Sequence, residues 1–199
     1  MTQVRFAAFP NLYEQQKRNR RRTAGVIVVF ILFLGFLGFG FDLYFFGNDP
    51  LGFFGAPYGY PVASIAALCV GAFSAAWGLR GGARAVLASA RAYPVPANDP
   101  RYQVLNNVVD EMVIASGIPR PGVYIIPDPD PNAFATGRDP EHSAIAVTEG
   151  LLETLNREEL QGVVAHELGH IKNYDIRLTT IVAALVGAAF LLSDWGRTG

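Results

Sequence analysis

Among 199 residues there is a single cysteine, and there are only three histidines, two methionines and two tryptophans. The lone thiol, Cys69, rules out an intramolecular disulfide, and its place inside an apolar run reads as a small buried hydrophobe. Charge is scarce as well. Asp, Glu, Lys and Arg make up 17% of the chain, against about 25% in soluble domains, and a net charge of -1 gives no reason to expect nucleic acid. No secretory cleavage pattern is present, because the first apolar run is too long for an h-region and lacks a small-residue site after it. What the chain has in excess is apolar residues, 51% of the total, and that balance points to a membrane.

The apolar residues are not spread evenly. Residues 1–24 are polar and basic, with Lys17, Arg18, Arg20, Arg21 and Arg22 crowded against the first run, a pattern that fixes a cytoplasmic flank. Residues 25–46 would extend about 33 Å as a helix, enough to cross the hydrocarbon, and are read as the first transmembrane helix. Asp42, near its far end, reads as interfacial or as a functional intramembrane acid. Residues 47–60 contain no Lys or Arg and are rich in Gly, Pro and aromatics, as expected of a periplasmic loop with Phe53, Phe54, Tyr58 and Tyr60 at the headgroups. Residues 61–79 form the second transmembrane helix, where Ala63, Ala67, Gly71 and Ala75 make a small-residue stripe for a neighbouring helix. Arg80, Arg84 and Arg91 return the chain to the cytoplasm.

Residues 80–177 read as a cytoplasmic domain. A short amphipathic helix runs into an extended linker at Tyr93-Pro94-Val95-Pro96. Asp99 and Pro100 then start a helix whose Leu105, Val108, Val109 and Met112 share a face and which ends at Gly117. Val123 to Ile126 and Ser143 to Thr148 are strand-like, and a helix over Glu149 to Leu155 follows. Asp128-Pro129-Asp130-Pro131 reads as a rigid turn or, alternatively, a paired-carboxylate site, and His142 as exposed surface or a lone functional histidine. The stretch Asn132, Ala133, Phe134, Ala135, Thr136 has small or polar residues around one Phe and reads as an exposed edge strand that holds substrate, or else as a strand whose Phe134 belongs to the core. The domain is therefore α+β, a small sheet against a helix.

That helix carries two of the three histidines. Asn156 as N-cap and Glu159 three residues on form a capping box, and Leu160, Val163, Val164, Leu168 and Ile171 recur at helical spacing, which predicts a helix from about Arg157 to at least Asn173. His166-Glu167-Leu168-Gly169-His170 puts two imidazoles on one face a turn apart, the spacing that binds one Zn²⁺ per chain, with Glu167 beside them as the general base for a water whose pKa the metal lowers towards roughly 7. A third protein ligand is missing from the sequence. Asp175, five residues beyond His170, points about 140° away from it on a continuous helix and reads as a helix-end or polar-network residue. A helix continuous into a third apolar segment, 178–196, would hold the ion about 13 Å from that segment's start. The segment would be a third transmembrane helix or the first arm of a hairpin, with Trp195 as an interfacial anchor.

Pro131 to Arg138, Ala144 to Thr148 with Gly150-Leu151-Leu152, and His166 to His170 followed by Asn173 and Asp175-Ile176-Arg177 together resemble the HtpX-like membrane metalloproteases, distant relatives of the CAAX prenyl endopeptidases. The resemblance implies a zinc endopeptidase of the bacterial inner membrane that clears misfolded membrane proteins, with an α+β zincin-like domain inserted between transmembrane helices of a mainly α-helical protein. It implies His166 and His170 as zinc ligands, Glu167 as catalytic acid/base, and a glutamate ligand after a further membrane helix. No such residue follows, so the chain reads as a truncated form that holds zinc weakly. Two alternatives stand beside it. An intramembrane protease would bury its motif in a spanning helix, which Arg157, Glu158, Glu159, Lys172 and Asp175 oppose, and a pseudoprotease or membrane scaffold would keep the fold without the third ligand.

Overall fold

The computed structural model describes residues 11–186, apart from 53, 56, 58, 97 and 98. Phe53 and Tyr58 of the expected interfacial loop, and the far part of the third apolar segment with Asp194 and Trp195, thus lie outside the described residues. Helix α1 spans Leu12–Phe45 and starts where the Asn11 side chain accepts the Tyr13 N–H at 3.1 Å. The basic cluster is therefore on the same helix as the apolar run. Helix α2 spans Val62–Ser89 and passes straight through Arg80 and Arg84, so the separate amphipathic helix expected after residue 80 is in fact the end of α2. No proline lies between Leu79 and Ser89 to break it, and Gly82 admits a neighbour, since a Cβ there would sit 3.1 Å from Thr180 Cγ2.

α1 and α2 lie against one another at glycine sites. A Cβ on Gly38 would come within 2.6 Å of the Ala63 carbonyl oxygen, and Gly71 of the small-residue stripe is buried against Ile31 and Leu34. Asp42 is fully buried between α1 and the start of α2. Its carboxylate accepts the N–H groups of Ala63 and Ser64 at 2.9 and 2.8 Å and the Ser64 hydroxyl at 2.6 Å, capping the start of α2. Both helices are long and apolar enough to cross a membrane, and only 6% and 17% of their most apolar windows is buried, unlike a soluble core helix.

The remaining elements build a small sheet. Strand β1 (Tyr93–Pro94), helix α3 (Gln103–Ser116), strands β2 (Gly122–Ile126), β3 (Ala133–Gly137) and β4 (Ser143–Thr148), and helices α4 (Glu149–Thr154), α5 (Arg157–Asn173) and α6 (Ile176–Val186, to the end of the described residues) follow in order. The strands lie as β1-β2-β4-β3, with β2 and β4 parallel and both outer strands antiparallel to their neighbours. Tyr93-Pro94, expected to be linker, is β1. Its two residues are pinned by the Tyr93 hydroxyl, which bonds Tyr102 at 2.8 Å and donates to Glu149 at 3.0 Å.

Alternation along the strands sorts two layers. Val123, Ile125, Ile145, Val147, Ala133 and Ala135 face one way, into a core with Leu105, Val108 and Val109 of α3 and Leu160, Val164, Leu168 and Ile171 of α5. Tyr124, Ile126, Ala144, Ala146 and Phe134 face the other way, against Leu87 at the end of α2. The sheet is thus held between the helix that bears the histidines and the end of a candidate membrane helix. Asp128 and Asp130 sit in an exposed turn where Asp128 Oδ1 accepts the Asp130 N–H at 2.9 Å.

Candidate metal centre

The capping box expected at the start of α5 is present in both directions: Asn156 Oδ1 accepts the Glu159 N–H at 3.0 Å, and Glu159 Oε2 accepts the Asn156 N–H at 2.9 Å. Burial of Leu160, Val164, Leu168 and Ile171 then fixes the helix's rotation, and His166 and His170 emerge a turn apart beside the buried face. Their Nε2 atoms converge to 3.1 Å with the rings edge to face.

α5 does not continue into the third apolar segment. Tyr174 takes a left-handed conformation (φ 60, ψ 18), and Asp175 opens α6, its carbonyl accepting the N–H groups of Leu178 and Thr179 at 3.0 and 3.3 Å. This break corrects the direction that Asp175 would take on an unbroken helix, while its reading as a helix-end, polar-network residue holds. The change of direction brings Asp175 Oδ2 to 2.8 Å from His170 Nδ1. An imidazole that donates Nδ1–H to a carboxylate keeps its Nε2 lone pair free and fixed in direction, the arrangement found behind metal-bound histidines.

These residues fit a Zn²⁺ ion. Two nitrogens at 2.0–2.1 Å from a tetrahedral ion stand about 3.3 Å apart, close to the separation already present, and neutral imidazoles are among its preferred donors. Among the described residues no third His, Cys, Asp or Glu joins the pair. The one group of three such residues there is Asp139, Glu141 and His142, at the surface. That group has a plainer account: Asp139 caps the 3₁₀ turn Pro140–His142, accepting the His142 N–H at 2.8 Å and contacting its Nδ1 at 2.6 Å.

Glu167 points from the same turn of α5 toward β3. Burial pushes its carboxyl above the usual carboxylate range, while the positive charge available at His170 and a hydrogen bond from the Ala135 N–H pull it back. Glu167, His170 and Asp175 line a cavity of about 420 Å³ with Ala133, Phe134 and Ala135 of β3, closed by Val86 of α2 and by Thr179, Thr180 and Ala183 of α6. Three of the four residues expected to hold substrate therefore line the same cavity as Glu167 and His170, while His166 lies outside its lining. Asn132 does not line the cavity, because its main chain is turned to β4, its N–H donating to Thr148 Oγ1 at 2.8 Å and its carbonyl accepting the Thr148 N–H. Phe134 packs on the α2 layer and also lines the cavity.

β3 is an edge strand whose main chain is only partly open. Gly137 donates its N–H to Thr180 Oγ1 at 3.0 Å, and Thr136 shares a 2.8 Å hydroxyl contact with the same threonine, so α6 covers the far end. The near end, Ala133 to Ala135, stays beside Glu167. Val86 and Thr180 have no signal in the sequence, since each comes to the site from a helical segment read for its apolar pattern, whereas Thr136 belongs to the expected edge strand.

Residues 100–194 match the model of peptidase family M48. The protease HtpX homologs of Thermoanaerobacter pseudethanolicus and Lactobacillus helveticus are 43% and 44% identical to the chain, over 92% of its length and 56% and 57% of theirs. That of Dictyoglomus turgidum is 59% identical over 93 residues, 47% of this chain and 31% of its own. The chain spans about half the length of the curated relatives it matches.

Proposed function

We propose that the chain, an HtpX-like protein of peptidase family M48, is the zinc-binding part of a membrane-bound endopeptidase that hydrolyses peptide bonds of misfolded or damaged membrane proteins. The observation that supports this reading best is that the Nε2 atoms of His166 and His170 converge, while His170, a half-buried carboxylate and the open end of an edge strand line one cavity. His166 and His170 hold the ion, and Asp175 keeps His170 in the tautomer that can donate its Nε2 lone pair. When bound, Zn²⁺ supplies a Lewis acid that polarises the scissile carbonyl and acidifies water. Glu167 takes the proton from the attacking water and delivers it to the leaving amine, a role suited to a carboxyl raised by burial and lodged beside the reacting bond. Ala133 to Ala135 offer main-chain hydrogen bonds to a substrate segment laid alongside as an extra strand.

Removing the metal tests the chemistry. Chelation is expected to abolish hydrolysis of an unfolded peptide and zinc to restore it, while His170→Ala should lose both zinc and hydrolysis by a factor of at least about 10². Metal-independent cleavage would overturn the reading. A pseudoprotease is the second reading, and it requires that zinc-loaded protein cleave nothing at all.

We further propose a bacterial inner-membrane, multi-pass arrangement in which residues 80–177 form a cytoplasmic zincin-like domain between spans 25–46, 61–79 and 178–196. The basic residues Lys17, Arg18, Arg21 and Arg22 before the first span, and Arg80 and Arg84 at the end of the second, motivate this orientation. Cysteine introduced at position 20 or 138 should react with a membrane-impermeant reagent only after the inner membrane is opened, and cysteine at position 58 before it. Labelling of position 138 from the periplasmic side would reverse the orientation.

A further inference from the structure

The end of α5 is held by a helix that the proposed chemistry does not use. α1 reaches down beside it and supplies three contacts in two turns: Gln16 Nε2 donates to the Lys172 carbonyl at 2.8 Å, Asn19 Nδ2 donates to the Asn173 carbonyl at 3.0 Å, and the Arg20 guanidinium lies 4.2 Å over the Tyr174 ring. The carbonyls of a helix's last turn have no partner within the helix, so these amides meet a real need. They also fall on the two residues before the break and on the break itself.

We propose that the membrane-proximal part of α1 is a positioning element for the metal centre, acting through Tyr174. The left-handed conformation is unfavourable for a residue with a Cβ and persists only where the surroundings impose it. If Tyr174 relaxed to helical angles, α5 would run on into α6, and Asp175 would turn about 140° away from His170. Asp175 itself cannot resist this. Its Oδ1 is buried without a hydrogen-bond partner and its Oδ2 bonds His170 alone, so only the backbone turn aims the carboxylate. Gln16, Asn19 and Arg20 thus select the broken arrangement, in which His170 is oriented, over the continuous one, in which it is free. From the other side Lys172 Nζ donates to the Ser116 carbonyl at 2.7 Å, which ties the same turn to α3.

This inference rests on His166 and His170 being metal ligands, and its test separates the two claims. The protein is reconstituted in nanodiscs, and its zinc dissociation constant is measured by chelator competition, alongside thermal unfolding. The Gln16→Ala/Asn19→Ala variant is expected to bind zinc about tenfold more weakly, as is Asp175→Asn, the cost typical of losing a partner behind a metal-bound histidine. Combining all three substitutions should weaken binding no further than Asp175→Asn alone, because both routes end in the same unsupported His170. Adding Tyr174→Gly to the Gln16→Ala/Asn19→Ala variant should restore affinity, since glycine adopts the left-handed conformation without cost. Arg20→Leu leaves both carbonyl bonds in place and should give a weakening of about threefold, so the idea stays testable if the double variant folds poorly. Affinity unchanged in both α1 variants while Asp175→Asn weakens it, or effects that multiply in the combined variant, would refute the positioning role. Unchanged affinity in His170→Ala would remove the metal reading and this inference with it.

Discussion

Glu167→Gln is expected to reduce peptide hydrolysis by about 10²–10⁴-fold while leaving zinc binding and thermal stability as they were. The substitution is nearly isosteric, and the amide oxygen still accepts the Ala135 N–H that the carboxylate now accepts, so neither β3 nor α5 loses a contact. What disappears is the capacity to take and return a proton. Glutamine also removes the carboxylate's electrostatic influence on His170, a small change for a neutral ligand imidazole. The measurement is single-turnover cleavage of an unfolded peptide by zinc-loaded protein, with metal content determined on the same sample. Cleavage within tenfold of the parent would show that the water's proton goes elsewhere. Among the groups lining the cavity, Asp175 would be the other carboxylate to examine, although its Oδ2 is already engaged by His170 Nδ1.

The parts of the fold that were readable were those in which local chemistry and long-range packing agree. α5 is announced by a capping box and by apolar residues at helical spacing, and the same residues that signal the helix bury it, so its start and its buried face are legible in the sequence. Gly117 marks the end of α3 for the same reason: it occupies a left-handed position that glycine favours. The end of α5 uses the same conformation with a tyrosine, and tyrosine carries no such signal. The contacts that impose it come from Gln16, Asn19 and Arg20, more than 150 positions earlier in the chain. Misjudging that turn displaced Asp175 from the site, and no local rule would have retrieved it. The length of α2 is hidden in a different way, because Arg80 and Arg84 end its most apolar stretch and not the helix itself. β1 has two residues, too few for any pattern, and is fixed by tertiary pairing with β2 and by the Tyr93 hydroxyl.

Ala135→Pro separates the edge strand's part in substrate binding from its part in the fold. Along an antiparallel edge, alternate residues turn their N–H groups toward the neighbouring strand and away from it. Ala135 and Gly137 turn theirs away, to Glu167 and to Thr180 Oγ1, so a proline at position 135 breaks no bond of the β3–β4 ladder and sits where edge strands tolerate it. The residue before it, Phe134, is already extended, as a following proline demands. The substitution should therefore spare the sheet and leave the zinc affinity of His166 and His170 unchanged. It does remove the N–H that Glu167 accepts, and its ring occupies the line along which a substrate main chain would pair. Cleavage is expected to fall by about 10²-fold or more, the loss that follows when a reacting bond is held about an ångström from its place. Ala135→Val keeps the N–H and suits a strand, so it should retain most activity and show that the main chain, not side-chain volume, is what matters. Full cleavage by the proline variant would exclude strand addition at β3, and a loss of zinc together with cleavage would mean that the strand supports α5 instead of the substrate.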